Sequence, residues 1–209
     1  MFFPILKAQS TKSLTRSVGY LHAQPKRVRG LVRDPATFLQ SPCGKAYDIQ
    51  STSSLKTYLG EEYALDDNLL LQVLTHKSFA HGMKPFNEKL SVHGSQFLKH
   101  KSAIHTVNSE KGISALGSLE SRKTLSTDIL AAFVKQQGFA DVIYWKKRDD
   151  SITDPTQSGE NSIKAGVLEA LIGALLVTRG AGVAEKFVFE KLLSENSKDS
   201  LVNIVRAQA

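Results

Sequence analysis

Cysteine is almost missing from this sequence, whose 209 residues include only Cys43. One cysteine excludes an intramolecular disulfide and a metal site built from several thiolates. We therefore expect a reduced, unreactive thiol and a reducing compartment. Long apolar runs are scarce as well. Since none approaches the roughly 18 residues that a membrane-spanning helix needs, we expect a soluble protein without a membrane span.

Acidic residues are absent from the first 33 positions, where seven lysines and arginines lie among serines, threonines and scattered apolar residues. All twenty Asp and Glu residues follow, and the remaining twenty basic residues balance them. Residues 1–30 have the composition of a mitochondrial targeting peptide. The alternative is a disordered basic arm that contacts RNA. Because the rest of the chain is neutral, any RNA contact there has to use local basic patches such as Lys99–Lys101 or Lys146–Arg148.

Helical periodicity dominates the chain after residue 50 and predicts an all-α domain over residues 51–196. Residues 31–50 contain turn-forming residues and little periodicity, so we expect an extended N-terminal segment, whose role the sequence leaves open. Residues 197–209 read as a short C-terminal tail. Residues 142–145 are predicted to be irregular or helical, and residues 146–161 a loop. The predicted helices cover residues 55–59, 68–74, 88 to about 105, 119–137, 162–176 and 183–193.

Three stretches carry a family resemblance. The first runs from Asn87 to Leu98 and reads Asn-Glu-Lys-Leu-Ser-Val-His-Gly-Ser-Gln-Phe-Leu. The others are Thr-His-Lys-Ser-Phe-Ala at residues 75–80 and the helix that ends in Glu-Ala-Leu-Ile-Gly-Ala at residues 169–174. Together they resemble the ribonuclease III family, and the first resembles the signature helix of that family. The resemblance implies the ribonuclease III-like helical endonuclease fold.

Carboxylates are missing where the resemblance implies a catalytic metal site. Enzymes of the family cut double-stranded RNA with Mg²⁺ held by four acids, and Mg²⁺ prefers such hard oxygen ligands. The four positions here are Ser91, Ser95, Gly166 and Glu169. One carboxylate cannot anchor the ion, so we expect no catalytic residues, no metal, no cofactor and no enzymatic activity. Glu169 is either a vestigial ligand or a helix residue satisfied by a hydrogen bond.

The resemblance also implies pairing through the signature helix, with Glu88, Val92 and Gln96 at the interface. A solvated helix face is the alternative for Glu88. The family has an aromatic residue where this chain has Val92, and the smaller side chain favours a different partner over a second copy. His93 and His100 lie on the same helix, but without further ligands we expect packed or surface histidines rather than a zinc site.

A single domain that lacks the catalytic acids and follows a targeting segment is similar to the fungal mitochondrial large-subunit ribosomal proteins of this fold. That similarity implies a mitochondrial matrix location and a structural role in the large ribosomal subunit. The implied partners are large-subunit rRNA, a second ribonuclease III-like ribosomal protein and other large-subunit proteins. Two further hypotheses stay open. In the first of these, the chain is the inactive half of a mitochondrial RNA-processing heterodimer. In the second, it is an active nuclease with unorthodox ligands.

Overall fold

Several helices of the protein begin or end at a capping residue. The computed structural model describes residues 40–108, 112–147, 151–197 and 199–207. Within these ranges the chain is helical and contains two isolated β-bridges but no strands, which confirms the predicted all-α class. The α-helices in these ranges are α1 (Ser53–Leu59), α2 (Asp67–Val73), α3 (Glu88–Asn108), α4 (Leu119–Thr124), α5 (Thr127–Gln136), α6 (Glu160–Arg179), α7 (Ala181–Phe187) and α8 (Leu201–Ala207).

A glycine ends the first helix and an aspartate starts the second. Gly60 ends α1 with a φ of 66°, a backbone angle that side chains with a Cβ rarely adopt. The Asp66 carboxylate accepts a hydrogen bond from the Asn68 amide at 3.1 Å and so caps α2. Short 3₁₀ turns at Ile49–Thr52, Phe79–Gly82, Gly112–Ala115 and Ala140–Val142 complete the connections, together with a π-turn at Val188–Leu192.

The helix predicted over residues 119–137 is in fact two helices, α4 and α5. The chain leaves the helical conformation at Ser126, whose φ and ψ of −70° and 148° are extended. Serine is favoured before a helix start and not in a helix interior, since its side chain competes for backbone hydrogen bonds. The helical periodicity of the apolar residues continues across Ser126, so the sequence pattern alone did not reveal the break between α4 and α5. The predicted loop over residues 146–161 is confirmed for its described residues 146–147 and 151–159, and α6 starts at Glu160.

The predicted tail is also wrong, because most of it is the helix α8. Leu201, Ile204 and Val205 recur at helical spacing and are buried. Helix α8 packs against α4 and α5. The short length of this segment concealed a regular amphipathic pattern.

The segment before α1 packs on the chain itself, at least in its described part. The Tyr47 ring stacks on Phe79 with the ring centroids 5.3 Å apart and contacts the edge of Tyr144 at 5.0 Å. The Tyr144 hydroxyl donates a hydrogen bond to the Ala46 carbonyl at 2.6 Å. Residues 46 and 47 of the predicted extended segment are therefore packed on the domain itself. Residues 31–39, like the predicted targeting segment at 1–30, lie outside the described residues.

Helix α6 is the centre of the core, and nine of its residues are buried. By length and composition it is also long and apolar enough to cross a membrane, with a mean hydropathy of 1.4 over its most apolar window. The expectation that no run approaches spanning length overlooked this helix. Half of the window is buried inside the protein, which is the packing of a core helix.

Helices α3 and α6 form the most extensive helix pair, and two glycines allow their backbones to touch. A Cβ atom on Gly94 would overlap the carbonyl oxygen of Glu169. A Cβ atom on Gly173 would overlap the carbonyl oxygen of Leu90. Because backbone atoms cannot move aside as a side chain can, only glycine fits at both positions.

Alanine at the crossing tests this contact. We expect Gly94→Ala and Gly173→Ala each to lower the free energy of unfolding by about 3 kcal/mol or more, because the two helices must separate to admit a methyl group. Gly182→Ala is the matched control, since nothing lies within 4 Å of a Cβ there. It should leave stability unchanged or raise it by up to about 1 kcal/mol. Urea unfolding measures all three, and equal effects at the three sites would contradict the close contact.

Leucine truncation tests whether α8 belongs to the core. Leu201 is fully buried, so Leu201→Ala should lower the free energy of unfolding by about 2 to 4 kcal/mol. Leu119 is 71% exposed, and the same substitution there should change it by less than about 0.5 kcal/mol. Thermal or urea unfolding gives both values. A loss of unfolding free energy at Leu201 as small as that expected at Leu119 would show that α8 adds nothing to the stability of the folded domain.

Candidate functional site at the crossing of α3 and α6

The start of α3 is tied to the Thr-His segment by the buried side chain of Asn87. The backbone amide of Asn87 donates a hydrogen bond to the Thr75 carbonyl at 3.0 Å, and the side-chain amide of Asn87 donates one to the Val73 carbonyl at 2.9 Å. Tyr144 completes the connection, because its amide donates to the Leu74 carbonyl and its carbonyl accepts from the His76 amide. The stretch at residues 75–80 and the start of the stretch at residues 87–98, which both carry the family resemblance, are therefore neighbours in space.

His76 has a structural role in this connection. Its Nδ1 atom accepts hydrogen bonds from the Ser78 hydroxyl at 2.9 Å and from the Ser78 amide at 3.2 Å. The Ser78 hydroxyl oxygen in turn accepts from the Lys146 amide at 3.0 Å. Burial lowers the pKa of His76, and the neighbouring Lys77 lowers it further. The imidazole is thus held neutral and acts as an acceptor that orders the loop.

Three of the four family acid positions come together where α3 crosses α6. The Ser91 hydroxyl donates a hydrogen bond to Glu169 Oε2 at 2.9 Å. Gly166 lies one turn before Glu169, and a Cβ atom there would be 3.8 Å from Ser91 Oγ. Ser95 lies one turn beyond Ser91 on α3 and is half-buried, as the other three are. Ser91, Gly166 and Glu169 therefore lie together, and the glycine crossing explains why.

The residues at this place do not fit a magnesium ion. Mg²⁺ takes near-octahedral oxygen coordination and is usually anchored by carboxylates. Only Glu169 supplies one, while Ser91 uses its hydroxyl proton on that carboxylate and Gly166 has no ligand atom. Among the described residues no three His, Cys, Asp or Glu side chains are grouped as metal ligands. Glu169 accepts a hydrogen bond from Ser91, which is the arrangement that one of the two predictions for it describes.

The three predicted interface residues lie on the opposite, outward face of α3. Glu88, Val92 and Gln96 are exposed, and the valine is 58% exposed. Glu88 forms an ion pair with Lys77 at 2.6 Å. The hydrogen bond from Lys77 holds the pKa of Glu88 below its usual range. His93 and His100 are exposed on the same helix, as expected for surface histidines.

Sequence reasoning missed the residues that hold this arrangement in place. Gly94 and Gly173 stand inside helical apolar stretches, where an isolated glycine costs about 1 kcal/mol relative to alanine and points to close packing. The two isolated glycines in the sequence could therefore have indicated that these helices pack closely. The double hydrogen bond of Asn87 had no sequence signal beyond its place before a helix start.

Comparison with known proteins agrees with this architecture. A family model described as ribonuclease-III-like matches residues 66–196, which is more than half of the chain. The nuclease domain of ribonuclease III from Campylobacter jejuni, studied for flexibility in a region involved in dimer formation, has a similar structure. It shares 25% sequence identity with this chain at a TM-score of 0.50, and the match covers 66% of this chain and 93% of that domain.

A second structure of the same Campylobacter nuclease domain, at 2.2 Å resolution, matches with 25% identity and a TM-score of 0.48. That match covers 67% of this chain and 89% of the domain. The extent of the family match, together with the helical architecture, supports one conclusion. The chain belongs to the ribonuclease-III-like family.

Proposed function

We propose that this protein is a non-catalytic structural constituent of the mitochondrial large ribosomal subunit. It binds large-subunit rRNA and pairs with another ribonuclease III-like protein. The observation that carries the proposal is the hydrogen bond between Ser91 and Glu169, which occupies the place where the resemblance implies a group of metal-binding acids.

The chemistry of that place supports the proposed absence of catalysis. In-line hydrolysis of a phosphodiester by this family needs Mg²⁺ to stabilise the attacking and leaving oxygens. A neutral hydroxyl is a poor ligand for a hard divalent cation, and here it already donates to the only carboxylate. A domain with this fold but without ion-binding groups retains its surfaces, and binding is the function that surfaces alone can provide.

Pairing is supported by the outward face of α3. Val92 is a large apolar side chain left 58% exposed on a helix whose other face is packed in the core. The similar Campylobacter domain has a region involved in dimer formation.

The mitochondrial and ribosomal parts of the proposal have their own support. They come from the acid-free, basic composition of residues 1–30 and from the resemblance to ribosomal proteins of this fold. The inactive half of an RNA-processing heterodimer remains the alternative, because it needs the same fold, the same missing acids and the same pairing face.

Sedimentation separates the two. We expect a tagged full-length chain, expressed in its source cells, to purify with mitochondria and to travel with the large ribosomal subunit in gradients at low and high salt. A second protein of the same fold should be bound to it, because pairing and rRNA contact act together. Recovery in light fractions with an active nuclease would overturn the ribosomal role and favour the processing heterodimer. Recovery outside mitochondria would contradict both.

A further inference from the structure

Three separate parts of the chain each bring a lysine close to Tyr47. Lys45 comes from the segment before α1, Lys84 from the turn before α3, and Lys146 from the link that follows Tyr144. Both Lys45 and Tyr47 precede the residues that the family model matches. We call Lys45, Tyr47, Lys84 and Lys146 the Tyr47 surface.

Hydrogen bonds hold the backbone at Lys45 in place. The Ser41 amide donates to the Lys45 carbonyl at 2.8 Å, and the Lys45 amide donates to Ser41 Oγ at 3.0 Å. The carbonyl of the next residue, Ala46, accepts a hydrogen bond from the Tyr144 hydroxyl at 2.6 Å. This part of the segment is therefore a closed turn fixed on the domain.

A strained turn brings Lys84 back to Tyr47. Ala80 and His81 have φ angles of 48° and 52°, in the left-handed region that residues with a Cβ rarely adopt, and Gly82 continues the turn with a φ of 72°. Lys84 Nζ then lies over the Tyr47 ring, 5.1 Å from its centroid. Backbone strain of this kind persists only where packing holds it, and it is concentrated at functional sites.

Lys146 is fixed to the same loop. Its backbone amide donates to the Ser78 hydroxyl oxygen at 3.0 Å. Ser78 directly precedes Phe79, whose ring stacks on Tyr47. Three positive charges from segments far apart in the sequence are thus held around one aromatic ring.

The charge of the Tyr47 surface is not balanced by nearby acids. None of its three lysines forms an ion pair with another described residue. Glu88 is the acid at the start of α3, and it already pairs with Lys77 at 2.6 Å. Asp48 uses its carboxylate to cap the turn that follows it. The surface therefore keeps a net positive charge, which favours an anionic ligand.

The chemistry of the surface fits a phosphate backbone better than a protein partner. Lysine is depleted from protein–protein interfaces, whereas its ammonium group is a common phosphate ligand. Phe79 stacks on the Tyr47 ring and Lys84 lies over it, so the ring has no free face on which a base could stack. A surface that offers charge without a stacking platform suits double-stranded RNA, which proteins recognise by its shape and phosphates.

We propose that the Tyr47 surface binds the phosphate backbone of double-stranded RNA without reading its sequence. This rests on the rRNA binding proposed above and specifies which part of the chain makes the contact. Lys45, Lys84 and Lys146 each meet a phosphate, and Tyr47 positions Lys84.

Removal of the three charges tests the proposal. At low salt, the full-length variant Lys45→Gln/Lys84→Gln/Lys146→Gln should bind a fluorescent RNA duplex of about 20 base pairs at least about tenfold more weakly than the wild type. Each lysine on a phosphate contributes about one unit to the slope of log affinity against log salt, so the slope should become shallower by about 2 to 3. Fluorescence anisotropy at several salt concentrations measures both.

A second triple variant is the matched control. Lys123→Gln/Lys135→Gln/Lys191→Gln removes the same charge from exposed lysines on α4, α5 and the π-turn, and it should keep the wild-type affinity within about twofold. The basic residues before position 34 are present in every protein, so their contribution to binding cancels.

Circular dichroism checks that each variant keeps its helices. If the first triple variant has lost them, Lys45→Gln/Lys146→Gln takes its place, because this double variant leaves the contact of Lys84 with Tyr47 intact. Its salt slope should then become shallower by about 2.

Three results would overturn the proposal. The first is equal weakening by the two triple variants, and the second is wild-type duplex affinity in the variant of the Tyr47 surface. The third is unchanged duplex binding with lost binding to poly-glutamate, which would assign the surface to an acidic protein. Sedimentation of the wild type with the large ribosomal subunit together with any of these results would leave the proposed function standing and place its RNA contact elsewhere.

Discussion

The structure depends on the contact between two glycines, Gly94 on α3 and Gly173 on α6. Backbone contact at this crossing brings the two longest described helices together more closely than side chains would allow. Residues one turn from the crossing on either helix must then converge, whatever their chemistry. That is why Ser91 meets Glu169 and why Gly166 lies beside them.

The crossing therefore preserves the position of an ion site without its ligands. In an active member of the family, several carboxylates brought so close would repel one another, and a divalent cation would offset that repulsion. Here a hydroxyl donates to a single carboxylate, and no such repulsion has to be offset.

Helix α3 joins the inner site to the outer surface. Its inward face is fixed by the glycine crossing, and its start is fixed by Asn87. Those two anchors determine which side chains point outward, and Val92, Lys89 and Lys99 are among them. A surface held so rigidly loses little conformational entropy when a partner binds, which favours its use as a docking face.

Much of this could be predicted from the sequence, and the failures have physical causes. Caps and periodicity located α1, α2, α3 and α6, because local hydrogen bonds and burial patterns act within a few residues. The break at Ser126 and the helix α8 were missed, since a capping serine in phase with its neighbours and a seven-residue apolar pattern give weak local signals.

The site itself was predictable in its members but not in its contacts. The resemblance identified Ser91, Ser95, Gly166 and Glu169 as one group. No pattern could show that Ser91 donates to Glu169 or that Lys77 neutralises Glu88, because those pairs depend on how distant segments pack.

Catalysis is tested most directly by a time course of duplex RNA cleavage in Mg²⁺, with purified wild-type protein and the Glu169→Gln variant side by side. We expect no cleavage by the wild type above the level of the variant, because Glu169 is the single carboxylate among the four family positions and accepts a hydrogen bond from Ser91. Magnesium-dependent cleavage by the wild type that Glu169→Gln abolishes would contradict this expectation, because a single carboxylate would then have to support catalysis.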